Sequence, residues 1–156
     1  MQELTLSDYE SLAELRYQIR RFLSFSEQAA RAAGLEPRQH QLMLGVKGLP
    51  QNVRPTIGEL ALRLQIQHHS AVELANRLVK AGFIRRTRAG EDRRRVLLSL
   101  TPKGEKVLRE LSLHHRAELL SAGPALVTAL RRAMRGARVS SAPSGKAAAG
   151  KRRSPS

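Results

Sequence analysis

Once in 156 residues, between Gly82 and Thr101, the hydropathy pattern leaves the helical period for alternation. Phe83–Arg88 and Arg95–Leu100 read as two strands, joined by Ala89-Gly90-Glu91-Asp92-Arg93-Arg94 as a hairpin with a charged tip. The rest of the patterned chain has helical spacing. The expected class is therefore mainly α with one small β-hairpin, and the question becomes what the helices on either side of that hairpin do.

Ser7–Ala33 reads as a long helix, with Ser7 and Glu10 at capping-box spacing and Gly34 as its stop. Leu12, Ile19, Phe22, Leu23 and Ala29 or Ala30 form its apolar stripe. At 1.5 Å per residue it would run roughly 40 Å, more than a small lobe can cover, and such a helix usually finds a partner. Pro37 suits a first helical turn and opens a second helix with the stripe Gln39, Leu42, Met43 and Val46. Leu49–Pro55 is a turn-rich connection. Thr56 and Glu59 again have capping-box spacing and begin a short helix carrying Ile57, Leu60, Ala61 and Leu64. Ile66 and Gln67 turn the chain into a fourth helix, His68–Ala81, whose Ala71, Leu74, Ala75 and Leu78 recur at core-facing spacing until Gly82 ends it. Beyond the hairpin, Thr101-Pro102 is an N-cap followed by a first-turn proline, and the helix it starts carries Leu108, Leu111, His115 and Leu119 on one seam. Gly123-Pro124 is expected to break that helix. A last one should reach Arg135 with Leu126 or Val127, Leu130 and Met134 inward. Residues 137–156, rich in Ser, Ala, Pro and Gly with five cations and no acid, are expected to form a disordered basic tail.

Two short helices across a tight turn, followed by a two-stranded hairpin, is the order of a winged helix-turn-helix, in which the second helix of the pair enters the major groove. Charge agrees. The formal net charge is +15, and removing the five cations of the tail leaves +10 on residues 1–136. Eight of those cations fall between Arg77 and Arg95: Arg77, Lys80, Arg85, Arg86, Arg88, Arg93, Arg94 and Arg95. A field of that sign favours a polyanion. Opposite its buried stripe the fourth helix shows His69, Glu73 and Asn76, flanked by Ser70, Val72 and Arg77, which is base-reading chemistry. Glu73 could accept from a cytosine amino group or pair with Arg77 one turn on, and the ion pair is the favoured expectation. The alternative function is an architectural or nonspecific DNA binder using charge and tail alone, which would not need that face.

The sequence resembles the MarR family. The likeness is carried by Thr56-Ile57-Gly58-Glu59-Leu60-Ala61, by Asn76-Arg77-Leu78-Val79-Lys80-Ala81-Gly82-Phe83-Ile84-Arg85-Arg86 and above all by Asp92-Arg93-Arg94-Arg95-Val96-Leu97-Leu98-Ser99-Leu100-Thr101-Pro102-Lys103-Gly104. The resemblance implies one domain over residues 1–136. A winged lobe would span about residues 37–100, with dimerisation helices at 7–33 and 102–135. It further implies a homodimer on a pseudo-palindromic double-stranded operator, acting as a transcriptional regulator, often a repressor released by a small aromatic or anionic effector. The expected DNA-binding residues are Gln67, His68, His69, Ser70, Val72, Asn76, Arg77, Arg86, Arg93 and Arg94. The family's Asp-x-Arg wing pattern falls on Asp92, bracing the tip, and Arg94, placed for a narrow minor groove where negative potential concentrates. The family's effector pocket lies between arms and lobe, and Tyr9, Tyr17, His40 and Met43 are candidates for its lining against a core role for each. Two departures stand out: Asn76 where the family usually has an acid, and the long connection at Leu49–Pro55.

Other classes find little support. There is no cysteine, so disulfides and thiolate ligands are excluded. His40, His114 and His115 invite a metal, but adjacent helical residues diverge by about 100° and no His pair has i,i+4 spacing. No cofactor is expected. No phosphate loop, nucleophile–base motif or paired carboxylates suggest an enzyme. No apolar run of membrane-spanning length and no signal segment is evident, so a cytoplasmic protein is expected.

Overall fold

The computed structural model describes residues 3–88 and 95–136. In chain order these form α1 (Leu6–Ala32), α2 (Pro37–Gly48), α3 (Ile57–Leu64), α4 (His68–Lys80), β1 (Ile84–Arg88), β2 (Val96–Leu100) and α5 (Pro102–Gly136). The expected class, mainly α with a β-hairpin wing, is the observed one. The hairpin tip with Asp92, Arg93 and Arg94, and the basic segment 137–156, lie outside the described residues.

The start of α1 differs from expectation. Thr5, not Ser7, is the N-cap: its hydroxyl accepts from the Asp8 backbone N–H at 3.3 Å, and the Asp8 carboxylate accepts from the Thr5 N–H at 2.8 Å. The Thr5 backbone N–H first, and the Thr5 hydroxyl donating to the same carboxylate oxygen at 2.8 Å second, hold the Asp8 carboxyl below its ordinary value. Ser7 sits in the first turn, where its carbonyl accepts from the Ser11 hydroxyl at 2.7 Å. Gly34, at φ +80°, turns the chain out of the helix while Leu35 N–H returns to the Ala30 carbonyl. The N-terminus of α3 is also simpler than expected. Thr56 Oγ1 accepts from Glu59 N–H at 3.2 Å, but the Glu59 carboxylate turns forward to Arg63 Nε at 2.9 Å instead of back to the cap.

The hairpin is antiparallel, in register from Ile84 opposite Leu100 to Arg88 opposite Val96. Leu98 N–H also donates to the Pro55 carbonyl at 2.9 Å, so the connection before α3 docks on the second strand. Ile84 and Leu98 point into a core completed by Leu42, Met43, Leu60, Leu78, Leu108 and Leu111. The core thus sits where the winged lobe meets the roots of α1 and α5.

α5 overturns the expected break. It runs unbroken for 35 residues with Pro124 inside it, roughly 50 Å at 1.5 Å per residue. Pro124 has no N–H to donate one turn back, yet α1 packs along both sides of the gap. Gln18, Arg21 and Phe22 of α1 face Leu119, Ala122, Gly123 and Leu126 across it, and Arg132 reaches Glu10 at 3.6 Å beyond it. Packing carries the helix through. Pro124→Ala restores the missing bond, so stability should rise by up to about 3 kcal/mol and the thermal midpoint with it. Calorimetry checks this, and a fall would mean that the long helix needs its proline.

The expected stripes of both arms need correction. α1 turns Ser11, Leu15, Gln18, Phe22 and Ala29 inward, whereas Leu12, Ile19 and Leu23 remain 39–49% exposed. In α5 the inward set past the proline is Leu126, Ala129 and Ala133, while Val127, Leu130 and Met134 face out, and Leu119 lies at the edge of the α1 contact, 43% exposed. At about 100° per residue the exposed set on each helix lies about a quarter-turn round from the packed set. Each arm therefore has two apolar faces, and the fold of one chain covers only one.

Candidate nucleic-acid interface

Gln65 takes a left-handed conformation at φ +54° and closes the turn between α3 and α4. Gln67 caps α4 with extended backbone and no side-chain bond, leaving the first-turn N–H groups available to an anion. Ala71, Leu74, Ala75 and Leu78 are all buried, as their spacing predicts. Burying that face turns His69, Glu73, Asn76 and Lys80 outward, with Gln67, His68 and Arg77 exposed beside them and Ser70 and Val72 half-buried.

Both flanks of that exposed face are braced. On one side Arg77 Nη1 lies 3.2 Å from the carboxylate of Glu36, the N-cap of α2. The expected Glu73–Arg77 pair is thus corrected: Arg77 spans to a neighbouring helix, and Glu73 keeps its outward position. On the other side Arg86 Nη2 of β1 donates to Asn76 Oδ1. Arg85, Arg86 and Arg88 continue the cationic surface along the exposed strand.

The end of α4 is locked to the start of α5. Thr101 Oγ1 donates to the Gly82 carbonyl at 2.6 Å and accepts from Gly104 N–H at 3.1 Å. Lys103 Nζ donates to the Ala81 carbonyl at 2.8 Å, a cation at the negative end of α4, and lies 4.5 Å from the Phe83 ring centroid. Gly104 is buried so closely against Phe83 that a Cβ would collide with its backbone carbonyl. Sequence reasoning missed Glu36, Lys103 and Gly104 as supports. The Thr-Pro-Lys-Gly run was visible, but spacing along one chain does not reveal a contact across 22 residues.

A histidine cluster joins lobe to arms. His40 of α2 is buried, and its ring stands 4.9 Å from that of His115 in α5. His115 Nδ1 donates to the Leu111 carbonyl at 2.6 Å, and its Nε2 accepts from the Ser26 hydroxyl of α1 at 2.7 Å. Burial first, and His115 second, push His40 below its ordinary value of 6.5. The unfolded chain therefore takes up this proton before the folded one as acid is added. Stability should be full above about pH 6.5 and decline below it. Thermal midpoints from pH 7.5 down to about 5 check this, and His40→Leu should flatten the slope. Among the described residues, no group of three or more His, Asp or Glu could hold a metal ion.

The four candidate effector residues are not brought together. Met43 is in the core and His40 in the histidine cluster, while Tyr9 and Tyr17 are 58% and 55% exposed on α1.

A helix with one face buried and a polar face exposed, a short helix before it and a hairpin after it define the class: this is a winged helix-turn-helix protein. Residues 33–95 match the model of the MarR family. AbsC of Streptomyces coelicolor, a MarR family transcriptional regulator, superposes with a TM-score of 0.68 at 19% identity, over 86% of this chain and 93% of its own. A mutant of MepR of S. aureus, bound to an oligodeoxyribonucleotide, gives 0.60 at 18% identity over 87% and 100%. MarR of Staphylococcus aureus, in complex with salicylate and kanamycin, gives 0.57 at 21% identity over 68% and 69%. No curated protein matches the chain.

Proposed function

We propose that the protein is a homodimeric, sequence-specific regulator of transcription that grips a pseudo-palindromic double-stranded operator, one lobe per half-site. The observation that carries this reading is α4. Its Ala71, Leu74, Ala75 and Leu78 are buried, and its outward face holds His69, Glu73, Asn76 and Lys80, side chains that can tell one base edge from another. Gln67, His68, Ser70 and Arg77 lie at its start and flank, placed for phosphate or base contact. Arg86 approaches from the strand, and this reading assigns DNA contact to Arg93 and Arg94 as well. An architectural binder needs cations but not that reading face. A fragment selected from genomic DNA should outcompete random DNA by about 10³ or more, the ratio of a specific binder. Equal competition would favour the architectural alternative.

The dimer rests on the second apolar faces of α1 and α5. Leu130→Glu with Met134→Glu should turn a dimer at micromolar concentration into a monomer by sedimentation, without loss of helix. A wild-type monomer at that concentration would sink the reading. Arg94→Ala should weaken operator binding by about 1–3 kcal/mol per site, the scale of a good groove contact, and leave the melting temperature unchanged. Normal binding by this variant would place the reading cation elsewhere on the wing.

Repression relieved by a small aromatic or anionic effector completes the proposal, in a cytoplasmic protein. The complex of a structural neighbour with salicylate supports the ligand class. Among the described residues, no helix is long and apolar enough to cross a membrane.

A further inference from the structure

We propose that Asn76 and Arg86 act as one reading unit that selects guanine, an inference that rests on the operator-reading role of α4 given above. Asn76 lies on the wing side of the exposed face of α4, and Arg86 lies at the middle of β1, opposite Leu98 in the ladder. The strand is therefore fixed, and it delivers the guanidinium to the helix, where Arg86 Nη2 donates to Asn76 Oδ1.

That bond changes what the position can recognise. An unengaged asparagine offers one acceptor and one amino group, the pattern that matches adenine through N6 and N7. With Oδ1 turned to Arg86, the outward groups are the Asn76 amide NH₂ and the remaining guanidinium N–H bonds, all donors. In the major groove guanine presents N7 and O6, both acceptors, whereas adenine and cytosine each present an amino group that would meet a donor. Thymine offers one acceptor beside a methyl group, so guanine alone satisfies both donors. Asn76 is neutral, so the charge of Arg86 is not cancelled by its partner. Glu73, one turn earlier on the same face and not engaged by Arg77, is an acceptor suited to the amino group of cytosine.

The test is selection of binding sites from a random-sequence duplex pool by full-length wild type, Arg86→Ala and Asn76→Ala at one salt concentration. Wild type should enrich a guanine at one symmetric position of each half-site. Arg86→Ala, which frees Oδ1, should lower the guanine-to-adenine ratio there about tenfold, and Asn76→Ala should erase the preference. As a measurement that needs no variant, 7-deazaguanine at that position should weaken wild-type binding about tenfold per half-site, because N7 is lost. An Arg86→Ala protein that keeps the guanine preference overturns the inference, and so does unchanged affinity for the 7-deazaguanine duplex. A wild type that enriches no motif overturns the operator-reading role itself, which is a different result from a motif lacking the guanine.

Discussion

Gly104→Ala should unseat the wing and abolish most operator binding, although the added group is a single methyl. The new Cβ would collide with the carbonyl of Phe83, which is backbone and cannot swing away. Nor can α5 retreat easily, since Thr101 Oγ1 bridges to Gly82 at 2.6 Å and Lys103 Nζ holds Ala81 at 2.8 Å. Those carbonyls close the end of α4, so any shift moves the reading helix relative to the arm. Overpacking of this kind costs about 1–3 kcal/mol, and the displaced helix loses its fit to the groove as well. Gly58→Ala is the control. A Cβ there meets nothing within 4 Å beyond its chain neighbours, and exchanging glycine for alanine inside a helix should stabilise by up to about 1 kcal/mol. Thermal denaturation and operator affinity, measured on both variants, check the contrast. Equal behaviour of the two would mean that the close approach at Gly104 is not a support.

Operator affinity should fall by about 10³ to 10⁵ between 50 and 200 mM salt if the dimer neutralises six to ten phosphates, because each releases condensed counterions. The described surface supplies the means: Lys80, Arg85 and Arg86 are exposed on each lobe, and the first-turn N–H groups of α4 carry no side-chain cap. Two lobes double the number. The same salt change should alter the preference for operator over random DNA much less, since base edges are read by short hydrogen bonds and not by the counterion atmosphere. Fluorescence anisotropy across a salt series gives both quantities. A flat affinity would contradict a phosphate-gripping dimer.

How much of this was legible in the chain depended on whether neighbours along the sequence were also neighbours in space. The buried set of α4 was readable because i, i+3, i+4 and i+7 spacing fixes one face, and the hairpin because its alternation stands alone among helices. The cap of α1 was ambiguous. Thr5 with Asp8 and Ser7 with Glu10 have the same spacing, and only the bonds between Thr5 and Asp8 decide between them. Pro124 was misread for a different reason. A proline ends an isolated helix, but α1 lies along α5 across the gap and outweighs one missing bond. The stripes of the two arms misled because each helix has two apolar faces, and hydropathy does not say which one belongs to the chain itself. At the reading face, Asn76 and Glu73 were visible as base-capable residues, whereas Glu36 as partner of Arg77 and Arg86 as partner of Asn76 depend on tertiary approach across 41 and 10 residues.

A footprint on a selected fragment, taken in excess competitor DNA, tests operator reading by a dimer most directly. Two lobes related by a two-fold axis should protect one site made of two half-sites about one helical turn apart, centre to centre. Protection should appear at both half-sites over the same range of protein concentration, and Leu130→Glu with Met134→Glu should abolish it. Uniform protection along the fragment, or none once competitor is present, would contradict a sequence-reading dimer.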